Sequence, residues 1–341
     1  MVDRRIPVIL VAGFLGSGKT TLLNHLLANR QGARIGVIVN DFGSIAVDAM
    51  AVSGQVDTMM SFGNGCLCCA VDASGLDAML AKLSEAEAGI DVIVIEASGL
   101  AEPRDLIRLM IASENPVIAY GGLVELVDAA EFEAARRRHP ELDEHLGFAD
   151  LVVLNKTDRA DEDTLAKLRG TIDEIAPGTP VIATSHGRID PTLFFDARPR
   201  DRAGQLSFDD LREEEHDHEH HFHTAYDSVA FTAERPLDPR RLMDFLEQRP
   251  GGLYRIKGFL DFGPNGPRSR FGLHTVGSFV QVERSAWPSG LPRRSELVLI
   301  GSGIDTDAVT ARLEECVADD PEVVDERGML RVLRFVQDDR V

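Results

Sequence analysis

The sequence is poor in positive charge, in cysteine and in long apolar runs. Its 341 residues include 36 lysines and arginines against 56 aspartates and glutamates, so the formal net charge is -20. A surface this acidic repels phosphate backbones, which argues against nucleic acid as a partner. Any phosphate that binds this chain therefore requires a local positive site.

The apolar runs are all short. The first of them, Val8–Ala12, is too short for the core of a signal peptide or for a membrane span. No other stretch of the sequence approaches the length of a transmembrane helix. We therefore expect a cytoplasmic protein without a membrane partner.

Cysteine is scarce, but three of the four cysteines stand together as Cys66, Cys68 and Cys69. In a large cytosolic chain, such a cluster is more typical of metal binding or redox chemistry than of a disulfide framework. Cys316 stands alone in a helical pattern, and we interpret it as a small buried hydrophobic residue.

Residues 1–200 alternate short β-branched runs with helical patterns. This alternation predicts an α/β fold in which a mainly parallel sheet is covered on both faces. Residues 201–223 are rich in charge and histidine, as expected of an exposed linker. Over residues 224–341, clustered strand patterns with two flanking helices suggest a small α+β domain. The strand-like runs of the first part are Val8–Ala12, Ile35–Val39, Thr58–Phe62, Val92–Ile95, Gly122–Val127, Leu151–Leu154 and Val181–Ala183.

A phosphate-binding motif follows the first strand pattern. Residues 13–20 match GxxxxGK[ST] in full and open a helical pattern. The glycines let backbone N–H groups curl around a phosphate, and the helix N-terminus adds the positive end of its dipole. Lys19 is expected to reach the phosphates and Thr20 to ligate magnesium. The predicted phosphate-binding residues are Gly13, Gly16, Ser17, Gly18, Lys19, Thr20 and Thr21.

The base is indicated by a second motif, Asn155-Lys156-Thr157-Asp158, directly after the apolar run Leu151–Leu154. The carboxylate of Asp158 can accept hydrogen bonds from both the ring N–H and the amino group of guanine. Adenine lacks this donor pair and would leave the charge unpaired. Together with the P-loop, the motif predicts a site for GTP and GDP, in which Asn155 and Lys156 brace the base and the loop.

A third motif, Glu96-Ala97-Ser98-Gly99, follows another buried strand pattern. A carboxylate there can hold the magnesium shell, and the amide of Gly99 can sense the γ-phosphate. We predict Lys19, Thr20, Glu96 and Gly99 as the catalytic set. Asp41 is predicted to join Thr20 and Glu96 around magnesium, directly or through water.

These motifs together resemble the CobW-type P-loop GTPases, which belong to a wider group of metal-handling GTPases that includes nickel-insertion proteins. The resemblance rests on the P-loop, the Glu-x-x-Gly, the NKxD and the sequence Gly65-Cys66-Leu67-Cys68-Cys69, and it covers nearly the whole chain. Arg255-Ile256-Lys257-Gly258 also resembles a strand of the family's C-terminal domain. The resemblance implies GTP-dependent delivery of a transition metal, mostly zinc or cobalt, to a client metalloprotein.

The cysteine cluster indicates a metal-binding site independently of this resemblance. Thiolates suit zinc, Cu(I) and Co(II), and three protein ligands leave the open position that a carrier needs to release its cargo. Reduced thiols in a tight core turn or a redox pair are the alternatives. The linker histidines could capture metal weakly, or belong only to a solvated polar segment. They are His216, His218, His220, His221 and His223.

The chain departs from the family pattern at one place. The segment after the second strand commonly reads Glu-Asn-Glu-Phe-Gly-Glu, whereas this chain carries Val39 and Ser44 at the flanking acidic positions and keeps the middle carboxylate as Asp41. If a flanking carboxylate normally completes the metal shell or couples it to nucleotide, that link is altered here.

Three functions fit these observations. The first is a slow GTPase that serves as a metallochaperone, with zinc as the expected metal and cobalt next, acting as a monomer or dimer. The second is a GTP-dependent switch that regulates a protein partner and uses its cysteines only structurally. The third is a P-loop kinase, which would show no preference for guanine.

Overall fold

The computed structural model describes residues 5–40, 58–62, 73–85, 87–99, 102–195, 226–288 and 290–336. These residues form two sheets, one on each side of residues 196–225. The predicted boundaries at residues 200 and 224 lie within that segment, outside the described residues, and stay predictions.

The first sheet has seven described strands in the order β3-β2-β4-β1-β5-β6-β7, and each pairs in parallel with its neighbours. The predicted parallel sheet is therefore confirmed. Both faces of its central strands are buried, which explains why they are continuously apolar in sequence. The strands are β1 (Ile6–Gly13), β2 (Ile35–Asn40), β3 (Thr58–Phe62), β4 (Val92–Glu96), β5 (Ile118–Asp128), β6 (Leu151–Asn155) and β7 (Val181–Ala183).

Helices cover both faces of this sheet. Leu22 and Leu26 of the helix Lys19–Ala28 pack against one face, whereas Leu106 and Met110 of the helix Pro103–Ile111 pack against the other. Local sequence sets where some helices begin: Asp161 caps the helix Glu162–Ile175 by accepting a hydrogen bond from the Thr164 N–H at 2.8 Å. The helices of this part are α1 (Lys19–Ala28), α2 (Ala73–Leu83), α3 (Pro103–Ile111), α4 (Phe132–Arg138), α5 (Leu142–Gly147) and α6 (Glu162–Ile175).

The second sheet is antiparallel, with the order β11-β10-β9-β12-β8. The small α+β fold predicted for this part is confirmed, but three described helices accompany the sheet instead of two, because the apolar run near Leu330 belongs to a third helix. The elements are β8 (Asp227–Ala233), α7 (Pro239–Glu247), β9 (Leu253–Leu260), β10 (Ser269–Val276), β11 (Phe279–Ala286), β12 (Ser295–Gly301), α8 (Thr306–Glu314) and α9 (Glu326–Leu333).

The two sheets share one apolar core. Tyr254, Val276 and Ile300 of the second sheet belong to the same buried cluster as the strands and α1 of the first. At their junction, the Tyr120 ring of β5 lies edge-on to the Phe279 ring of β11, with the centroids 5.4 Å apart. Asp150 accepts hydrogen bonds from the Tyr120 hydroxyl at 2.6 Å and from the Leu123 N–H at 2.9 Å within the first sheet, and it also accepts one from the backbone of Ser278 in the second. The first sheet is therefore braced directly against the second.

Among the described residues, no helix is both long enough and apolar enough to cross a membrane.

Candidate nucleotide site

The P-loop connects the end of β1 to the start of α1, as its sequence predicts. Gly18 has a φ of +104°, and a Cβ there would lie 2.4 Å from Nδ2 of Asn155. Both the backbone angle and this close approach require glycine at that position. Since α1 begins at Lys19, the first N–H groups of the helix point toward the loop, where an anion can accept from them.

Lys19 lies at the centre of this loop and is only 8% exposed. Its Nζ donates hydrogen bonds to the carbonyl oxygen of Gly13 at 2.8 Å and to that of Phe14 at 3.3 Å. The ammonium group is thus held at the mouth of the loop, where it can neutralise a phosphate. This is the local positive site that an acidic protein needs to bind one.

Thr20 and Glu96 meet at the same edge of the sheet. The Thr20 hydroxyl donates a hydrogen bond to Oε1 of Glu96 at 2.8 Å, and Glu96 is 2% exposed. The loop after Glu96 also contacts the P-loop, since a Cβ added at Gly99 would lie 2.7 Å from the Leu15 side chain. The predicted catalytic residues are therefore brought together by the carboxyl ends of β1 and β4.

Asn155 joins the base motif to the P-loop. Its Nδ2 donates to the carbonyl oxygen of Ser17 at 2.8 Å, and its Oδ1 accepts from the Gly187 N–H at 3.0 Å. The side chain is 1% exposed. Because both ends of the amide are used, Asn155 holds the loops after β1, β6 and β7 in one arrangement.

Lys156 reaches across the site in the left-handed conformation, with a φ of 60°. Its Nζ donates to the carbonyl oxygen of Gly16 at 2.6 Å and to Oδ2 of Asp128 at 2.7 Å. Asp128, at the end of β5, also accepts backbone hydrogen bonds from Ala130 and Glu131. Asp128 was not predicted as a site residue, although an acid directly after an apolar run was a signal for it.

Asp158 is exposed on the loop that follows β6. Its N–H donates to Oγ of Ser185 at 3.3 Å, and the neighbouring Thr157 N–H donates to the carbonyl oxygen of Thr184 at 3.2 Å. The loops after β6 and β7 are therefore joined beside the P-loop. This leaves the Asp158 carboxylate at an accessible position, as reading a base requires.

A second acid that was not predicted as a site residue is Glu125 on β5. It is 3% exposed, and burial raises its pKa to about 8, an effect that the positive charge of Lys19 partly offsets. The consecutive apolar residues on both sides of it, Leu123–Val124 and Leu126–Val127, were its only signal, because such a run marks a strand that is buried on both faces.

The residues predicted to hold the transition metal lie outside the described residues. These are Cys66, Cys68 and Cys69 and the five linker histidines between His216 and His223. Asp41, predicted as a magnesium ligand, also lies outside the described residues. Within the part of the chain that the structure describes, no group of three or more histidine, cysteine or acidic side chains is arranged to hold a metal ion. Cys316 is buried and its pKa is raised to about 11 by burial, as expected of a packed thiol.

Two family models match this chain. Residues 7–183 match the family model "CobW/HypB/UreG, nucleotide-binding domain", and residues 226–317 match "Cobalamin synthesis protein cobW C-terminal domain". The zinc chaperone CobW of Sinorhizobium sp. is 32% identical over 92% of this chain and 98% of its own length. The zinc chaperone YjiA of Escherichia coli is 35% identical over 56% of this chain and 61% of its own.

A crystal structure of Zn(II)-bound YjiA GTPase from E. coli aligns with 92% of this chain and 100% of its own, at 23% identity and a TM-score of 0.44. The two family matches together cover most of the chain, and the similarity to CobW extends over 92% of it. The chain belongs to the CobW/HypB/UreG family of P-loop GTPases.

Proposed function

We propose that this protein is a GTP-hydrolysing zinc chaperone that carries the metal on its cysteine cluster and delivers it to a client metalloprotein. The observation that carries the nucleotide part is the buried amide of Asn155, which joins the phosphate loop to the base motif. The metal part is supported by the similarity to the relatives named zinc chaperones and by the thiolate chemistry of the cluster.

Guanine recognition is assigned to Asp158. Its exposed carboxylate can accept two hydrogen bonds from guanine, and the bonds to Ser185 keep the loop beside the P-loop. The change Asp158→Asn tests this, because the amide presents a donor where guanine also presents one. We expect selectivity to move from guanosine towards xanthosine nucleotides, measured by competition binding. Unchanged preference for GTP in the variant would contradict the assignment, whereas absence of any guanine preference in wild type would favour a P-loop kinase.

Magnesium fits the pair formed by Thr20 and Glu96. A hydroxyl and a buried carboxylate 2.8 Å apart provide the oxygen ligands that Mg²⁺ prefers. Thr20 would hold the ion directly, and Glu96 directly or through water. When bound, the ion would neutralise charge on the phosphates. Lys19 serves the same purpose from within the loop, and with no further positive group assigned we expect slow hydrolysis.

Zinc is cargo rather than a resident cofactor in this proposal. Cys66, Cys68 and Cys69 supply thiolates from one short segment, and a fourth position left open would allow transfer to the client. Cobalt is the second expected cargo, because thiolates also suit Co(II). The linker histidines would provide weak capture. The contact between Gly99 and Leu15 offers a physical route by which the phosphate site can influence neighbouring loops.

Two measurements test the chaperone function. Zinc affinity is determined with GTP, with GDP and without nucleotide, and we expect it to differ among these states because linkage makes the coupling reciprocal. Equal affinities in all three would contradict the coupling. The double change Cys66→Ser and Cys68→Ser should abolish zinc binding while GTP hydrolysis continues.

Cys316 offers a matched control for the cysteine changes. Its thiol is buried in the second sheet's core, so Cys316→Ala should leave zinc binding intact. If instead the double variant unfolds, the cysteines are structural, and the alternative function of a GTP-dependent regulatory switch is favoured.

A further inference from the structure

Glu125 is a buried acid directly beneath the phosphate-binding loop. It lies on β5 opposite Ala12 of β1, the residue that precedes Gly13. Side chains alternate along a strand, and its neighbour Val124 packs in the core that includes α1. Glu125 therefore points to the other face of the sheet, away from Glu96 and Thr20.

The carboxylate lines a cavity of about 310 Å³ beside the P-loop. Phe14 of the loop, Phe132 of α4 and Leu142 of α5 form apolar walls of this cavity. Within the described residues, Oε2 of Glu125 is buried without a hydrogen-bond partner. A buried carboxylate in that position is far less costly when it carries a proton.

Lys19 is the positive charge that acts on this acid. The pKa of Glu125 is raised to about 8 by burial, and Lys19 lowers it only in part. The Lys19 ammonium is directed at the carbonyl oxygens of Gly13 and Phe14. The acid and the ammonium thus lie close enough beside the loop for their charges to interact.

The other charged groups around the cavity have their own partners or face solvent. Lys156 pairs with Asp128 at 2.7 Å, and Nε of Arg138 donates to the carbonyl oxygen of Ala134 at 3.1 Å. On α5, His145 lies 3.2 Å from a carboxylate oxygen of Glu102. Besides Glu125 itself, the charged groups on the cavity walls are Asp128, Glu131, Arg138, Lys156 and Arg159.

Nucleotide phosphates bring more negative charge to this loop. An ionised Glu125 would repel them through the protein interior, where charges interact strongly, and would compete with them for Lys19. We propose that Glu125 is a positioning residue of the phosphate site that must carry a proton for nucleotide to bind. When Glu125 is ionised in the free protein, binding takes up one proton from solvent and leaves Lys19 to the phosphates. This inference rests on the proposed nucleotide site and on no step of metal transfer.

The test is the affinity for GDP between about pH 7 and pH 9, at constant ionic strength and without magnesium. The protonated fraction of an acid with a pKa near 8 falls about tenfold over that range. We therefore expect the wild-type dissociation constant to rise about tenfold. Isothermal calorimetry in buffers of different ionisation enthalpy should show uptake of about half a proton per GDP near pH 8.

The variant Glu125→Gln isolates this group, because it keeps the shape of the side chain without the charge. We expect the GDP dissociation constant of this variant to stay, at every pH tested, at the low value that wild type shows near the acidic end of the range. We also expect GDP binding by the variant to take up no proton. Glu131→Gln is the matched control: this exposed acid lies on the same cavity wall, and its removal should leave the wild-type pH profile unchanged. Any pH dependence of the GDP dissociation constant that wild type and Glu125→Gln share comes from other groups, such as the cysteines.

The proposal is overturned if the GDP dissociation constant of Glu125→Gln rises with pH as steeply as that of wild type. It is also overturned if the wild-type dissociation constant does not change with pH. If that variant does not fold, Glu125→Met, which is neutral and similar in volume, is expected to show the same flat profile and is judged by the same criteria. Absence of GDP binding by wild type at every pH would instead contradict the proposed nucleotide function itself. The two failures are therefore distinguishable.

Discussion

Removal of the Asn155 side chain should destabilise the protein more than any surface change in the same region. In Asn155→Ala, the carbonyl oxygen of Ser17 loses its donor at 2.8 Å and the N–H of Gly187 loses its acceptor at 3.0 Å. Asn155 is 1% exposed, so water does not replace these partners without rearrangement. Each unsatisfied buried group costs about 1–3 kcal/mol, and we expect a total loss of about 3 kcal/mol in unfolding free energy.

Urea-induced unfolding without nucleotide measures this loss. Circular dichroism follows both sheets, whereas fluorescence of the single tryptophan, Trp287, reports on the second sheet. We expect the midpoint to fall for Asn155→Ala, and the GTP dissociation constant to rise at least tenfold, because the P-loop is no longer held against the base motif.

Asn29→Ala is the matched control. Asn29 is exposed at the end of α1, and its Nδ2 donates to the carbonyl oxygen of His25 at 2.8 Å. Since water can replace this bond, we expect a change within about 0.5 kcal/mol. If Asn155→Ala loses less than about 1 kcal/mol, or no more than Asn29→Ala, then the buried amide does not hold the three loops together, and the reasoning is wrong.

Three further changes test separate contacts. Gly18→Ala places a Cβ 2.4 Å from the Asn155 amide at a φ of +104°, and we expect nucleotide binding to be lost in titrations while helical dichroism is kept. Asp128→Ala removes the partner of Lys156, and GDP release in stopped-flow experiments should accelerate by about tenfold. Burial raises the pKa of Asp150, so its ionisation destabilises the fold progressively as pH rises above about 4. Asp150→Asn should remove that part of the pH dependence, measured as the difference between variant and wild-type thermal melts from about pH 4 to pH 7.

The predicted phosphate and base residues meet because of a general property of parallel sheets. The P-loop, Glu96 and Asn155–Asp158 each follow a buried strand, and the carboxyl ends of parallel strands lie at one edge. Motif and strand pattern together were therefore sufficient to place them. Asp128 follows a strand in the same way, but belongs to no motif. Its role depends on the contact with Lys156, which no local pattern indicates.

The number of helices beside the second sheet also could not be predicted from the local sequence pattern. The run around Leu330 is apolar, and short apolar runs do not distinguish a helix from a strand. In the structure, Asp325 caps the segment by accepting from the Gly328 N–H, and Met329 and Val332 pack into the core. Tertiary packing therefore selected the helix.

The sequence alone determined the fold class, the phosphate loop and the guanine motif, because each depends on short-range spacing and on the conformational freedom of particular glycines. Tertiary structure decided the pKa values of the buried acids and the long-range contacts that hold these parts together. Glu125 is unremarkable in sequence, but burial beneath the loop raises its pKa towards the physiological range. Asp150 and Ser278 are far apart in the chain, yet the backbone of Ser278 hydrogen-bonds to the Asp150 carboxylate at the junction of the two sheets. Desolvation and long-range contacts arise only when the chain is folded, so no motif could have revealed them.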